Sequence, residues 1–233
     1  MRHTMLTGLA AWLLPAVASA LPVIGFERVN AVYPSSSYAD ILGFYSGGLS
    51  SQGTSGVNLG ATFSANAVAV CLNAVGGNCS NASRGGLSVT SSEGALGISV
   101  GNSVYFDYPA GFTFAIGFSY AVAQGSFATI SAYSGLGGSG SLLSPALPLF
   151  PGAAGCPAYN AALCPLGPGG YSFSGTARSV VFTGQPGKVV WDDLTLGAND
   201  PQPPPPVPEP GTWVLLAVGL AMAGSAVRHR RHR

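Results

Sequence analysis

Histidine is missing from the long middle of this 233-residue chain, because His3, His229 and His232 all lie in its end segments. Without histidine, the middle cannot build a Ser-His-Asp or Cys-His catalytic arrangement, a His-ligated zinc site or a histidine pH switch. Glycosidases instead need two carboxylates flanking one bond, and no acidic pair stands in a recognisable motif of that kind. We therefore expect no enzymatic activity.

Positive charge is also scarce. Residues 21–206 contain four basic residues (Arg28, Arg84, Arg178, Lys188) against seven acidic ones, and four minus seven gives a net charge of −3. Binding to nucleic acid depends on neutralising several phosphates with Lys and Arg. The composition therefore excludes nucleic acid as a partner of this segment.

Long apolar runs occur only at the two ends. At the start, Arg2 precedes an apolar stretch from Met5 to Val17, and Ala18-Ser19-Ala20 supplies small residues at both Ala18 and Ala20. This order is typical of a signal peptide cut by signal peptidase after Ala20. An uncleaved N-terminal membrane anchor is the alternative, although its apolar core is short for a span.

The C-terminal end begins with a proline-rich stretch, 201–210, which favours a stiff extended spacer. Apolar or small residues follow from Thr212 to Val227, about 24 Å of helix at roughly 1.5 Å per residue. The basic residues Arg228, Arg230, Arg231 and Arg233 close the chain. A basic cluster after an apolar helix stays in the cytoplasm, so we expect a transmembrane helix with the middle of the chain outside.

Val207-Pro208-Glu209-Pro210, then an apolar stretch led by Trp213 and the arginine-rich end, resembles the PEP-CTERM sorting signal of Gram-negative bacteria over residues 207–233. The resemblance implies that an exosortase processes the tail near Pro208-Glu209-Pro210. It also implies an inner-membrane-anchored precursor destined for the cell envelope surface or an extracellular polysaccharide matrix. An ordinary tail anchor is the alternative, but it has no need of the proline-glutamate-proline element.

These ends divide the chain into four parts. They are a signal peptide (1–20), a cargo domain (21–198), a Pro-rich linker with the motif (199–210), and a transmembrane helix with a basic tail (211–233). The cargo is long enough for one core.

The cargo shows the period-2 alternation of β-strands rather than helical periodicity. Phe112, Phe114, Ile116, Phe118 and Tyr120 alternate with small or polar residues, which predicts one strand with a buried aromatic face. Further strands are predicted at Ala65–Cys71, Val104–Tyr108, Phe127–Tyr133, Tyr171–Ser174, Ser179–Phe182 and Lys188–Leu196, and Tyr38 to Tyr45 fits a short helix or a strand.

Glycine pairs predict turns between these strands, at Gly47-Gly48, Gly85-Gly86, Gly137-Gly138 and Gly169-Gly170. Strands recurring about every ten residues favour an all-β, antiparallel two-sheet sandwich or jelly roll.

Four cysteines form two local pairs, Cys71 with Cys79 and Cys156 with Cys164, each enclosing seven residues. Export to an oxidising compartment favours disulfides, and local pairing is the most economical of three connectivities. A disulfide closing so short a loop is worth roughly 2–3 kcal/mol. A four-cysteine zinc site is the alternative, with wider spacing than zinc motifs use.

Acidic residues mark both ends of the cargo: Gly25-Phe26-Glu27 near its start, and Asp192 with Asp193 near its end. The first and last strands of a jelly roll commonly lie side by side, so we expect Glu27 to approach one of the two aspartates. Adjacent strand residues point to opposite faces, so Asp192 and Asp193 should not both point the same way. Carboxylates at a sheet edge suit calcium. The pattern is similar to jelly-roll carbohydrate-binding modules, which implies a structural calcium ion held by Glu27 and by one of Asp192 or Asp193. Pairing of Glu27 with Arg28 or Lys188 is the alternative.

Sugar recognition uses exposed aromatic rings, and the candidates are Tyr33, Tyr38, Tyr45, Tyr133 and Tyr159. The sequence thus indicates an exported surface or matrix protein with a lectin-like role towards polysaccharide. A purely structural envelope or biofilm-matrix protein without a ligand is the alternative, and a carbohydrate-active enzyme is the third hypothesis.

Overall fold

The computed structural model describes residues 22–30, 38–71, 94–151 and 166–202. The predicted signal peptide, Tyr33, Cys79, Tyr159, Cys156 and Cys164, and the predicted sorting tail lie outside them. The disulfide pairing therefore stays a prediction.

The described part is all-β, as predicted. Its strands are β1 (Val23–Ile24), β2 (Tyr38–Asp40), β3 (Thr62–Phe63), β4 (Ala67–Cys71), β5 (Gly94–Ile98), β6 (Ser103–Val122), β7 (Ala128–Tyr133), β8 (Leu147–Leu149), β9 (Gly167–Thr183) and β10 (Val189–Leu196). A 3₁₀ helix at Phe44–Ser46 follows β2, so the ambiguous Tyr38–Tyr45 segment contains both a strand and a helical turn.

All ten strands pair antiparallel, in the order β2-β4-β5-β10-β6-β9-β7-β8, with β1 on β10 and β3 on β6. The predicted strands at Val104–Tyr108 and from Phe112 onwards are parts of one strand, β6. Those at Tyr171–Ser174 and Ser179–Phe182 likewise belong to β9. The antiparallel prediction is confirmed.

Strand β6 folds back on itself. Its 20 residues would span about 66 Å if straight, at about 3.3 Å each. Yet Asn102, just before it, accepts a hydrogen bond from Gly184, and Ala123, just after it, donates to Lys188. Gly184 and Lys188 belong to one tight β9–β10 turn, closed by Lys188 N to Gln185 O at 3.0 Å. Both ends of β6 therefore lie at the same end of the domain.

The reversal takes place where β6 and β9 change register. The pairs Asp107–Ser179 and Phe112–Ala177 bracket four residues on β6 but only Arg178 on β9. Gly111 has a φ of 74°, a left-handed conformation that glycine adopts without steric cost. The extra residues on β6 form a bulge, and this bulge allows the strand to bend.

A second irregularity corrects the predicted aromatic face of β6. Phe112, Ile116 and Phe118 are buried, but Phe114 is 59% exposed with a φ of 79°. The pairs Thr113–Thr176 and Ala115–Ser172 bracket one residue on β6 and three on β9. The period-2 pattern fails there because the bulge turns Phe114 out of the alternation.

Aromatic side chains dominate the core. Phe26, after β1, contacts Phe63 of β3 with ring centroids 5.8 Å apart, and Phe63 contacts Phe106 of β6 at 5.2 Å. Phe182 of β9 and Trp191 of β10 meet at 5.2 Å, and neither is exposed. Contacts between such rings add about 0.5–1.5 kcal/mol each to the free energy of burial.

Tyr171 ties β9 to the connection between β7 and β8. Its hydroxyl donates to the carbonyl oxygen of Ser144 at 2.8 Å. Burial raises the pKa of Tyr171 above its ordinary value, because the phenolate would lose hydration. The phenol therefore stays protonated and remains a donor at neutral pH.

Replacing Phe182 by Ala is expected to lower the free energy of unfolding by about 3–5 kcal/mol, because it leaves a cavity against Trp191. Phe127→Ala removes the same side chain from an exposed position and should cost under about 0.5 kcal/mol. Urea denaturation of the purified proteins measures both values. Equal losses would contradict the assignment of Phe182 to the core.

Candidate functional site

The chain leaves the sheet through Gly197–Gln202, here called the strap, which leads towards the predicted sorting tail. Gly197 N donates to Ala115 O of β6, and Gln202 N donates to Thr195 Oγ1 of β10, both at 2.8 Å. The hydroxyl of Ser172, on β9, donates to Asn199 Oδ1 at 2.8 Å. The strap is thus held by three different strands.

The strap packs against a part of the sheet where both strands carry glycine. Gly117 of β6 and Gly170 of β9 are paired directly across the sheet. A Cβ on Gly170 would collide with the carbonyl of Asn199, and one on Gly117 with the carbonyl of Asp200. The predicted turn at Gly169-Gly170 is therefore wrong: both glycines lie within β9, where Gly170 lets another backbone approach closely.

This contact fixes where the tail emerges. Asn199 to Gln202, assigned from sequence to the linker, pack against the sheet, and Pro201 is buried. At the same end, Leu196 N donates to Pro22 O at 3.4 Å. The beginning and the end of the described cargo therefore lie side by side.

The two aspartates of β10 occupy a bulge. The pairs Asp192–Ser119 and Thr195–Gly117 bracket one more residue on β10 than on β6, and Asp193 has a φ of 51°. Ser119 Oγ donates to Asp193 Oδ2 at 2.9 Å, on the face that the register assigns to Asp192. The expectation that the two carboxylates point to opposite faces is wrong, because the bulge interrupts the alternation.

Both aspartates are fully buried, and each accepts a hydrogen bond from a protein donor. Asp192 Oδ1 accepts from the backbone N–H of Asp193 at 2.8 Å, and Asp193 accepts from Ser119. Such bonds offset the cost of taking a carboxylate out of water. They help to fix the bulge, which is a structural role.

Glu27 follows β1 but lies outside a strand. The predicted neighbourhood of first and last strands is confirmed by the pair Ile24–Leu194, but β1 ends at Ile24 and Glu27 sits in the following turn. A Cβ on Gly94 would meet the backbone of Phe26 and lie 3.1 Å from Glu27 N. Gly94 thus lets this turn cross over the start of β5.

Within the described ranges, no group of three or more His, Cys, Asp or Glu side chains is arranged to hold a metal ion. Glu27, Asp192 and Asp193 therefore do not form a complete site from their side chains. A calcium ion there would need backbone carbonyls to reach its six to eight oxygens.

Three of the predicted sugar-stacking tyrosines, Tyr38, Tyr45 and Tyr133, lie in the described ranges and differ in exposure. Tyr45 is buried, with its hydroxyl donating to Gly25 O at 2.5 Å, so its selection was wrong. Tyr133 is half-buried and Tyr38 is exposed on edge strand β2.

The sequence reasoning missed two exposed rings, Phe127 at 66% and Phe150 at 60%. Ala128 and Leu149 form the terminal pair of the β7–β8 register, and both are buried. Phe127 directly precedes Ala128 and Phe150 directly follows Leu149, so the two phenylalanines leave neighbouring strand ends. The sequence did contain a signal for Phe127. In a β-strand it lies on the same face as Thr129 and Ser131, and not on the face of the apolar Ile130.

Several turns meet around these rings. We call this surface the loop end; it comprises residues 99–102, 123–127, 150 and 184–188. The 123–127 and 184–188 turns are joined by Ala123 N to Lys188 O at 2.8 Å, and Gly184 N donates to Asn102 O at 2.8 Å. Exposed polar residues at this end are Asn102, Gln124, Gln185 and Lys188.

The loop end and the strap are at opposite ends of the domain. Strand β10 begins beside the loop end at Val189 and ends beside the strap at Leu196. Eight residues at about 3.3 Å each separate the two by roughly 25 Å.

Comparison with known proteins identifies the tail. Residues 206–231 match the PEP-CTERM protein-sorting motif, the stretch in which the sequence showed that resemblance. Searches of curated proteins and of solved structures find no match.

The chain therefore carries a PEP-CTERM sorting motif, and the recognition made from sequence is confirmed. The motif marks the chain as an exported protein with a membrane-associated precursor, which an exosortase processes and sorts to the envelope. None of the described segments contains a helix long and apolar enough to cross a bilayer, and the span predicted at 211–233 lies outside them.

Gly170→Ala is expected to destabilise the domain by about 1–3 kcal/mol, because its methyl group overlaps the strap. Gly167→Ala is the matched control in the same strand, since a Cβ there meets nothing within 4 Å. It should be neutral or slightly stabilising. Thermal unfolding of both variants measures the difference, and equal stability would show that the strap does not press on β9.

Proposed function

We propose that the cargo is a non-enzymatic binding module that associates with polysaccharide of the cell surface or extracellular matrix. The observation that carries the proposal is the exposed loop end, which lies at the far end of the domain from the strap. A protein tethered through its tail would present this surface outwards.

The proposed architecture is a two-sheet sandwich or jelly roll. The fold-back of β6 supports it, because both ends of that strand bond to the same β9–β10 turn. Contact between Phe182 and Trp191 then joins the two layers. Ends of such sandwiches carry loops that often serve as binding surfaces.

The cargo's chemistry supports binding rather than catalysis. It has no histidine, and Asp192 and Asp193, which are fully buried, are engaged within the bulge. A purely structural envelope or biofilm-matrix role predicts the same export and fold, but no saturable ligand.

Affinity electrophoresis tests the proposed function. The purified mature protein should migrate more slowly in gels containing polysaccharide extracted from the producing cells than in gels without it. Retardation should saturate with polysaccharide concentration and disappear when free polysaccharide is added. Unchanged mobility with every surface and matrix fraction would favour the structural role.

Calcium binding by Glu27, Asp192 and Asp193 stays a prediction of the sequence. Millimolar calcium is then expected to raise the melting temperature of EGTA-treated protein, since a ligand that binds only the folded state stabilises it by about 2.7 kcal/mol at 100 times its Kd. Asp192→Asn should abolish the shift, and Asp200→Asn, at an exposed carboxylate, should retain it. An identical melting curve with and without calcium would remove the ion from the account.

A further inference from the structure

We infer that Phe127 and Phe150 form a two-ring platform that binds the apolar faces of an uncharged glycan chain. The inference rests on the proposed function and assigns it a site. It starts from the position of the two residues, which flank Ala128 and Leu149, the terminal pair of β7 and β8. Both rings are mostly exposed, at 66% and 60%.

The two rings present separate surfaces. Phe127 and Phe150 flank the pair Ala128–Leu149, so their backbones run close together. Even so, neither Phe127 nor Phe150 is in contact with another ring among the described residues. Two rings that do not cover one another leave their faces available to successive units of a linear chain.

The backbone beneath the rings is fixed. Ala128 and Leu149, the next pair along the register, are both buried in the core. Ser126 N donates to Ala123 O at 3.0 Å and closes the turn that precedes Phe127. A ring mounted on a rigid turn loses little conformational entropy on binding, which favours affinity.

The polar groups around the platform favour an uncharged ligand. Asn102, Gln124 and Gln185 supply amides, which both donate and accept hydrogen bonds, as sugar hydroxyls do. Lys188 is the one charged residue in the described loop end, which is too little to select an anionic polymer. A flat apolar ring beside amides matches a pyranose, which has a C–H face and a rim of hydroxyls.

A second copy of the chain fits this surface less well. Strand β8 is an edge strand of only three residues, and its central residue is Pro148, which has no N–H to donate. Short edge strands with proline resist pairing with another sheet. The surface of two exposed rings is also much smaller than the roughly 800 Å² per partner that a stable dimer buries.

Titration of the purified mature protein with the neutral and the acidic fractions of the host polysaccharide tests the inference. Phe127→Leu and Phe150→Leu keep an apolar side chain but lose the flat ring. Each should weaken binding to the neutral fraction by about tenfold, the order expected for one aromatic contact. Phe127→Trp should bind at least as tightly as the wild type. Phe114→Leu, at an exposed ring on the bulge far from the loop end, is the control and should bind normally.

The outcomes separate this inference from the proposed function. If the wild type binds and the two Leu variants bind equally well, the platform is wrong and the proposed function stands. Preference for the acidic fraction, or self-association that the Leu substitutions abolish, would also overturn the platform. No binding by the wild type to either fraction would overturn the proposed function itself. Circular dichroism on each variant confirms that a loss of binding is not a loss of fold.

Discussion

The backbone of the strap lies in close contact with Gly117 and Gly170. This contact sets the position at which the chain leaves the sheet towards the sorting tail. Because neither residue has a side chain, the strap can lie flat on the sheet and bond to β6, β9 and β10 at once. These hydrogen bonds hold the last part of the cargo, just before the proline-rich spacer, against the sheet. The sorting motif at 206–231 therefore follows from a defined point on the fold.

Strand β10 connects that point to the rest of the molecule. It pairs with β1, β5 and β6, buries Trp191 and Leu194 in the core, and carries the bulge at Asp192 and Asp193. Its two ends lie beside the loop end and the strap. This strand thus separates the strap, which leads towards the sorting tail, from the exposed rings of the loop end.

The sequence predicted best what depends on local pattern. The strands predicted at Phe127–Tyr133 and Lys188–Leu196 match β7 and β10 to within a residue, although all eight residues of β10 are buried rather than those of one face. The sorting tail was identified for a similar reason: its motif, apolar run and basic end are all contiguous. The pairing of first and last strands was also foreseen, from the usual neighbourhood of these strands in a jelly roll.

Features that depend on a partner strand were not predictable. Phe114 and Asp193 leave the alternation only because β9 and β10 carry unequal numbers of residues against β6, which no single strand reveals. The double glycine at Gly169-Gly170 looked like a turn, since its role appears only when the strap lies on it. Phe150 was missed for the same reason, since only the pairing of β7 with β8 brings it beside Phe127.

Amide hydrogen exchange at the strap tests the central claim most directly. The N–H groups of Gly197 and Gln202 are bonded to Ala115 and Thr195, so they should exchange as slowly as those within β10. Protection of both amides in the purified mature protein is the predicted result. Exchange of Gln202 at the rate of a free peptide would show that the strap does not fix the exit of the tail.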